Sequence, residues 1–281
     1  MKIGMNLLLW TATAKEEHVP LFRQIKGWGF DGVEIPMFDP GASPWKNLAT
    51  ALDGIGLGRT AVVVVPPTAS PVSPDARIRA SAVDFLKRTL DAARTLGVET
   101  LAGPVCAPVG ELTGRPRTAD EWKWCVETLQ PVAAHAQATG VTLAVEFLNR
   151  FETYFLNCTA DACKLVGELN VPGTGILYDT FHAHIEEKNV DAAIRGAGKH
   201  IAHVHISEND RSTPGEGQVR WKETFAALKA IGYDKWFVVE AFGQALPELA
   251  GATKIWRQMF PTADHLATKA QQFARDCWAK A

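Results

Sequence analysis

The stretch Leu96-Gly97-Val98-Glu99-Thr100-Leu101-Ala102-Gly103 is where the fold becomes legible. Ahead of it, Asp75–Leu96 carries apolar residues at three- and four-residue spacing, the period of an amphipathic helix. Gly97 stands where a helix C-cap belongs, and Thr100–Gly103 reads as a short strand. The same junction recurs at Gly27-Trp28-Gly29-Phe30-Asp31-Gly32-Val33-Glu34 and at Ile231-Gly232-Tyr233-Asp234. Each time a helix stops, turns on glycine and launches a strand.

Working outward, apolar density and flanking Gly or Pro predict strands at Lys2–Leu8, Gly32–Pro36, Gly58–Val65, Thr100–Gly103, Thr142–Phe147, Gly175–Asp179, Ile201–Ile206 and Trp236–Ala241. Helical periodicity continues through Ala119–Ala138, Ala160–Leu169 and Trp221–Ala230, with Gly140 and Gly232 as further helix stops. Eight βα units in 281 residues predict a single (β/α)8 TIM barrel, an α/β fold whose chemistry sits at the C-terminal ends of the strands. No linker or charge block divides the chain, and Pro66–Pro74 reads as one long βα loop, so residues 1–281 are expected to form one domain.

The chain has 29 Lys+Arg against 31 Asp+Glu, a net charge of −2, and no basic cluster of the kind that grips a phosphate backbone. Nucleic acid is therefore excluded as the main partner, and a small ligand is favoured. The five cysteines (Cys106, Cys125, Cys158, Cys163 and Cys277) are odd in number and contain no C-x-x-C pair, which argues against a disulfide framework. The apolar runs Leu7–Trp10 and Ala61–Val65 are far too short for a signal peptide or a membrane span. The expectation is a complete cytoplasmic chain with no membrane partner.

Four polar residues close successive strands: Glu146, Asp179, His205 in Ala202-His-Val-His205, and Glu240. They are spaced by about one βα unit each, which places them at corresponding positions on strands five to eight. A lone carboxylate at a strand end is ordinarily a solvated polar group, whereas four at one repeating position are a site. Three carboxylates and one imidazole without a thiolate form a hard-leaning donor set suited to Mn²⁺, Co²⁺ or Mg²⁺. Three further groups lie in the loops that follow: Glu152, His182 and Arg211, placed to bind hydroxyl and carbonyl oxygens. His203 shares a face with His205 and is expected to be a hydrogen-bonded core residue; His184 and His200 read as structural or solvated. Trp10 reads as pocket wall or core, the Trp122/Trp124 pair as packing, and Glu34, the analogous residue on strand two, is left out of the site.

At these residues the sequence resembles the ketose 3-epimerase family, the D-tagatose/D-allulose (psicose) 3-epimerases of the xylose-isomerase-like barrel superfamily. The matching text is Val145-Glu-Phe-Leu-Asn-Arg-Phe-Glu-Thr153, Asp179-Thr-Phe-His182 with Ile185-Glu-Glu187, and His203-Val-His205 through Glu208 and Arg211. It continues through Pro214-Gly-Glu-Gly217 before Trp221, Val239-Glu-Ala-Phe242 and Lys254-Ile-Trp-Arg257. The similarity is dense from Thr142 onward and looser before it, where Leu7–Trp10 and Pro104–Gly114 match no particular epimerase. Carried onto the matching positions, the resemblance implies that Glu146, Asp179, His205 and Glu240 bind one Mn²⁺ or Co²⁺. It assigns Glu152, His182 and Arg211 to a monosaccharide substrate, and it implies a homodimer or homotetramer.

The expected reaction is inversion of C3 of a free ketose of the D-allulose/D-fructose, D-tagatose/D-sorbose or L-ribulose type. Glu146 and Glu240 are the expected catalytic pair, one removing the C3 proton and the other returning one from the opposite face through a metal-stabilised enediolate. No P-loop or dinucleotide-binding turn is present, which favours free sugars over phosphorylated ones. Competing readings are an aldose-ketose isomerase, an inosose dehydratase or a 3-keto sugar lyase of the same barrel superfamily. An abasic-site endonuclease lacks its basic groove here, and a non-catalytic carbohydrate-binding barrel is disfavoured by the intact acid/base pair.

Overall fold

Eight parallel strands close in chain order into a barrel in the computed structural model, which describes residues 1–281. They are β1 (Lys2–Asn6), β2 (Gly32–Pro36), β3 (Gly58–Val62), β4 (Thr100–Gly103), β5 (Thr142–Glu146), β6 (Thr174–Asp179), β7 (Ile201–Ile206) and β8 (Trp236–Val239). The helices are α1 (Val19–Gly27), α2 (Trp45–Ile55), α3 (Ala76–Leu96), α4 (Ala119–Thr139), α5 (Thr159–Leu169), α6 (Thr180–Glu186), α7 (Val190–Ala197), α8 (Trp221–Ala230), α9 (Pro247–Thr253) and α10 (Ala263–Lys280). The expected strands and the (β/α)8 barrel are both present. The strands are nearly all buried on both faces, which is why they read as apolar runs rather than alternating patterns.

The quoted junction behaves as its sequence dictates. Gly97 caps α3 in the left-handed region at φ 78°, a conformation that a Cβ disfavours. Several strands stop earlier than apolarity suggests. β1 ends at Asn6 because the Asn6 side chain accepts a hydrogen bond from Leu8 N at 2.8 Å and turns Leu7–Leu9 into a 3-10 turn.

Packing divides into three regions, one of them a five-residue apolar cluster of Leu8, Val62, Phe242, Ala250 and Ile255. A continuous core of 68 residues lies chiefly between strands and helices, whereas Ala102, Ala144, Leu177 and Ala202, on four consecutive strands, form a small separate cluster inside the ring. The N-terminal end of the barrel is plugged by Trp236. A Cβ on Gly32 would lie 2.5 Å from the Trp236 ring, so this packing requires glycine there. The opposite end, where the chemistry was expected, gathers buried polar residues beside the apolar Leu8, Val62 and Phe242. No helix is long and apolar enough to cross a membrane.

Candidate metal and substrate site

Glu146 is the last residue of β5, Asp179 the last of β6, His205 the penultimate residue of β7, and Glu240 follows β8 directly. All four are buried: Asp179 and His205 have no exposure, and Glu146 and Glu240 retain 6% and 5%. Closure of the ring brings them together. His205 Nδ1 lies 3.3 Å from Glu240 Oε1 and 3.6 Å from Asp179 Oδ2, separations typical of two ligands of one ion. Asp179, His205 and Glu240 form one group able to hold a metal, and Glu146, Asp179 and His182 form an overlapping one.

The two oxygens of Asp179 do different work. Oδ1 caps α6, accepting from Phe181 N at 2.6 Å and His182 N at 3.3 Å. Oδ2 is buried without a hydrogen-bond partner, as is His205 Nδ1. Buried polar atoms are rarely left so, and two orphaned acceptor-type atoms facing each other are the arrangement a divalent cation satisfies. The residues present therefore fit a metal.

The charges point the same way. Burial, with the neighbouring Glu240 and Asp179 charges, raises the Glu146 carboxyl well above its usual range, the His205 charge opposing the rise. Burial acts against ionisation of Glu240 too, but His205 and Arg211 bring that carboxyl below its usual value. His182 is driven down to about 3 by burial and by the Arg211 cation, so it is a neutral imidazole. Its Nδ1 accepts from Asn149 N at 3.0 Å, which places the proton on Nε2, 3.5 Å from Glu146 Oε1.

Glu152 and Arg211, from loops, and His182, from the first turn of α6, converge on the same place. Arg211 Nη1 donates to Glu240 Oε2 at 2.7 Å, and Nη2 lies 3.5 Å from Glu152 Oε1 and 3.3 Å from His182 Nε2. Glu152 Oε1 also accepts from Asn149 Nδ2 at 2.9 Å. Glu146, Glu240, Glu152, His182 and Arg211 all line one cavity of about 290 Å³ whose remaining wall is chiefly apolar, including Leu8, Phe38, Val62 and Leu249. That volume sits at the small end of ligand pockets, roughly 300–1,000 Å³, and suits a single monosaccharide.

A supporting layer lies behind these residues, at positions that strand spacing does not mark. Glu34 is fully buried among Asn6, Thr60, His203 and His205, whereas its strand-two position alone gave it no part in the site. Asn149 lies in the Glu146–Glu152 segment and orients both His182 and Glu152. Glu208 binds Gly215 N, Val219 N and Trp221 Nε1, and so pins the Pro214–Gly217 loop. His203 is the hydrogen-bonded core residue expected, with Nε2 2.8 Å from Glu34. Trp10 stacks on Trp28 at 6.2 Å and is not part of the cavity wall, and Trp122 stacks on Phe155.

Residues 22–263 match the family model described as "Xylose isomerase-like TIM barrel". This chain belongs to the xylose isomerase-like TIM barrel family. Within that family it groups with the ketose 3-epimerases. It is 32% identical to a probable ketose 3-epimerase of Synechocystis sp., covering 99% of this chain and 97% of that protein. It is also 32% identical to an L-ribulose 3-epimerase of Mesorhizobium japonicum over 97% of this chain and 92% of that one. A solved L-ribulose 3-epimerase structure superposes with a TM-score of 0.94 at 31% identity, covering 100% of this chain and 95% of that one. This xylose isomerase-like barrel is accordingly an enzyme, a carbohydrate isomerase of the epimerase type.

Proposed function

We propose that this chain inverts C3 of a free ketose, with Glu146 and Glu240 as a two-base pair. The observation that carries this reading is that both glutamates open into one small cavity alongside Glu152, His182 and Arg211. They reach it from β5 and β8, three strands apart around the ring. A sugar carbon held between them presents one face to each. One carboxylate removes the C3 proton, and the other, carrying a proton, delivers it from the far side.

Glu146, Asp179, His205 and Glu240 are the residues that would hold a divalent ion, for which we propose Mn²⁺, with Co²⁺ or Mg²⁺ as substitutes. Bound there, such an ion would polarise the carbonyl and offset negative charge on the sugar oxygens. His182 donates from Nε2 and Arg211 from its guanidinium toward those oxygens, while Glu152 accepts from hydroxyls at the C1 end. The apolar wall receives the distal carbons and keeps bulk water from the reacting centre. Arg211, the one cation lining the cavity, is already engaged by Glu240, which supports a free sugar over a sugar phosphate.

The test is proton NMR in D₂O of Mn²⁺-loaded protein with D-fructose, D-allulose, D-tagatose and L-ribulose. Loss of the C3 proton together with a new epimer supports the proposal and ranks the substrates. Exchange at C1 with aldose formation replaces it with aldose-ketose isomerisation. No exchange with any of the four sugars rejects it.

A further inference from the structure

A second polar cluster, centred on Glu34 of β2, lies inside the barrel on the side of His205 away from Asp179 and Glu240. Four groups converge on the Glu34 carboxylate. Oε1 accepts from Asn6 Nδ2 at 2.9 Å and lies 2.7 Å from His205 Nε2. Oε2 accepts from Thr60 Oγ1 at 2.8 Å and lies 2.8 Å from His203 Nε2. Every residue in the cluster is buried, Asn6 and Thr60 retaining only 1% exposure each.

We propose that Glu34 is a positioning residue that fixes the Nε2–H tautomer of His205 and thereby presents its Nδ1 lone pair to the metal. The proposal rests on the metal site put forward above. Asn6 and Thr60 clamp the Glu34 carboxylate so that it cannot turn away. An ionised carboxylate only accepts, so the imidazole nitrogen nearest to it carries the ring proton. The oxygen sits close to Nε2 but off the line of the N–H bond, so the hold is electrostatic rather than directional. In a neutral ring, a proton on Nε2 leaves Nδ1 free to coordinate, and Nδ1 is the atom facing Asp179 and Glu240. Asn6 ties the two layers together, since its Nδ2 also reaches Glu240 Oε1 at 3.5 Å.

Glu34→Gln keeps the shape and, because Asn6 Nδ2 needs an acceptor, leaves the amide oxygen beside His205, but it removes the negative charge that holds the proton on Nε2 and strengthens Nδ1 as a metal donor. Free Mn²⁺ measured by EPR during titration of the full-length protein should show affinity reduced by about 10- to 100-fold. His203→Gln removes the other imidazole from the same carboxylate and is expected to change affinity by less than about threefold. Thermal melting in EDTA checks that both variants fold. Mn²⁺ affinity in Glu34→Gln within about twofold of wild type overturns the proposal, as does an equal loss in His203→Gln, which would mean general disruption of the cluster. Wild-type protein that binds no Mn²⁺ overturns the metal site itself and this proposal with it.

Should Glu34→Gln fail to fold, wild-type protein labelled with [¹⁵N]histidine decides the matter. Long-range ¹H–¹⁵N correlation, with His205 assigned by the loss of its signals in His205→Gln, reads the tautomer directly. A proton on Nε2 supports the proposal, and a proton on Nδ1 overturns it.

Discussion

Arg211 and Glu240 form the shortest ion pair at the mouth of the barrel, Nη1 to Oε2 at 2.7 Å, and the guanidinium carbon lies over the Phe181 ring, 3.8 Å from its centre. The backbone that delivers this side chain is itself unusual: Arg211 sits at φ 63°, held by its N–H to Glu208 O at 2.9 Å and by Phe242 N to its own carbonyl at 3.0 Å. Planarity and several fixed donors let one group donate to Glu240 and Glu152 while lying over Phe181. Lysine has neither property. Arg211→Lys should therefore fail to preserve activity, with kcat/KM for epimerisation down by roughly 10²-fold. A loss of less than about threefold would show that charge alone suffices.

Glu146→Gln and Glu240→Gln should each lower C3 epimerisation by roughly 10²- to 10⁴-fold. The informative readout is exchange without inversion. A two-base site that has lost one base still lets the other remove the C3 proton of one epimer, so each variant should wash deuterium into one member of an epimer pair only. Equal exchange into both epimers would point to a single base serving both faces.

Asp179→Asn separates the two oxygens of that residue. The amide oxygen can still cap α6 through Phe181 N and His182 N, whereas the orphaned Oδ2 is lost as an anionic ligand. In wild type, Mn²⁺ at 100 times its Kd adds about 2.7 kcal/mol, enough to raise Tm by several degrees. The Asn variant should melt near the metal-free wild type and show little or no rise with Mn²⁺. Calorimetry with and without EDTA checks both halves.

Away from the metal position, Tyr154 donates to Glu121 Oε1 at 2.9 Å and links the loop before α5 to the start of α4. The same two loops are joined by Gly110 N to Glu152 O at 2.8 Å and by Arg117 Nη1 to Phe155 O at 2.8 Å. Tyr154→Phe should loosen the loop that carries Glu152, raising KM several-fold while changing kcat little, and should cost about 1 kcal/mol of stability. A fall in kcat with KM unchanged would place the effect elsewhere.

Glu121 also gives the fold an acid limit. Burial acts to raise its carboxyl, but the Arg115 guanidinium, the N–H and hydroxyl of Thr118 and the Tyr154 hydroxyl bring it down to about 2 from 4.5. Because the folded value lies below the unfolded one, this stabilisation is full above the unfolded pKa and is lost as pH falls from about 4.5 toward about 2. Arg115 is half exposed, so solvent screening reduces the contribution to on the order of 2 kcal/mol. Urea unfolding of wild type and Glu121→Gln should converge as pH drops from about 5 to about 3. A constant difference across that range would deny the linkage.

Much of the site was legible because a βα unit repeats. A residue at the end of each successive strand must arrive at the same rim, so Glu146, Asp179, His205 and Glu240 could be grouped from spacing, and the flanking motifs added Glu152, His182 and Arg211. The helices read least clearly were short or followed strands directly, such as α6, which begins at Thr180 with Asp179 as its cap. Its seven residues are too few to show a period.

Local pattern thus determined the barrel, its eight strands and the rim positions, because helix and strand periods and glycine stops act over a few residues. Tertiary closure decided which atoms meet. His203 and Glu34 are 169 positions apart and become neighbours only when β2 and β7 face each other across the ring. The division of Asp179 into a capping oxygen and an orphaned one, and the support that Asn149 gives His182, likewise depend on side-chain directions that only the closed barrel sets.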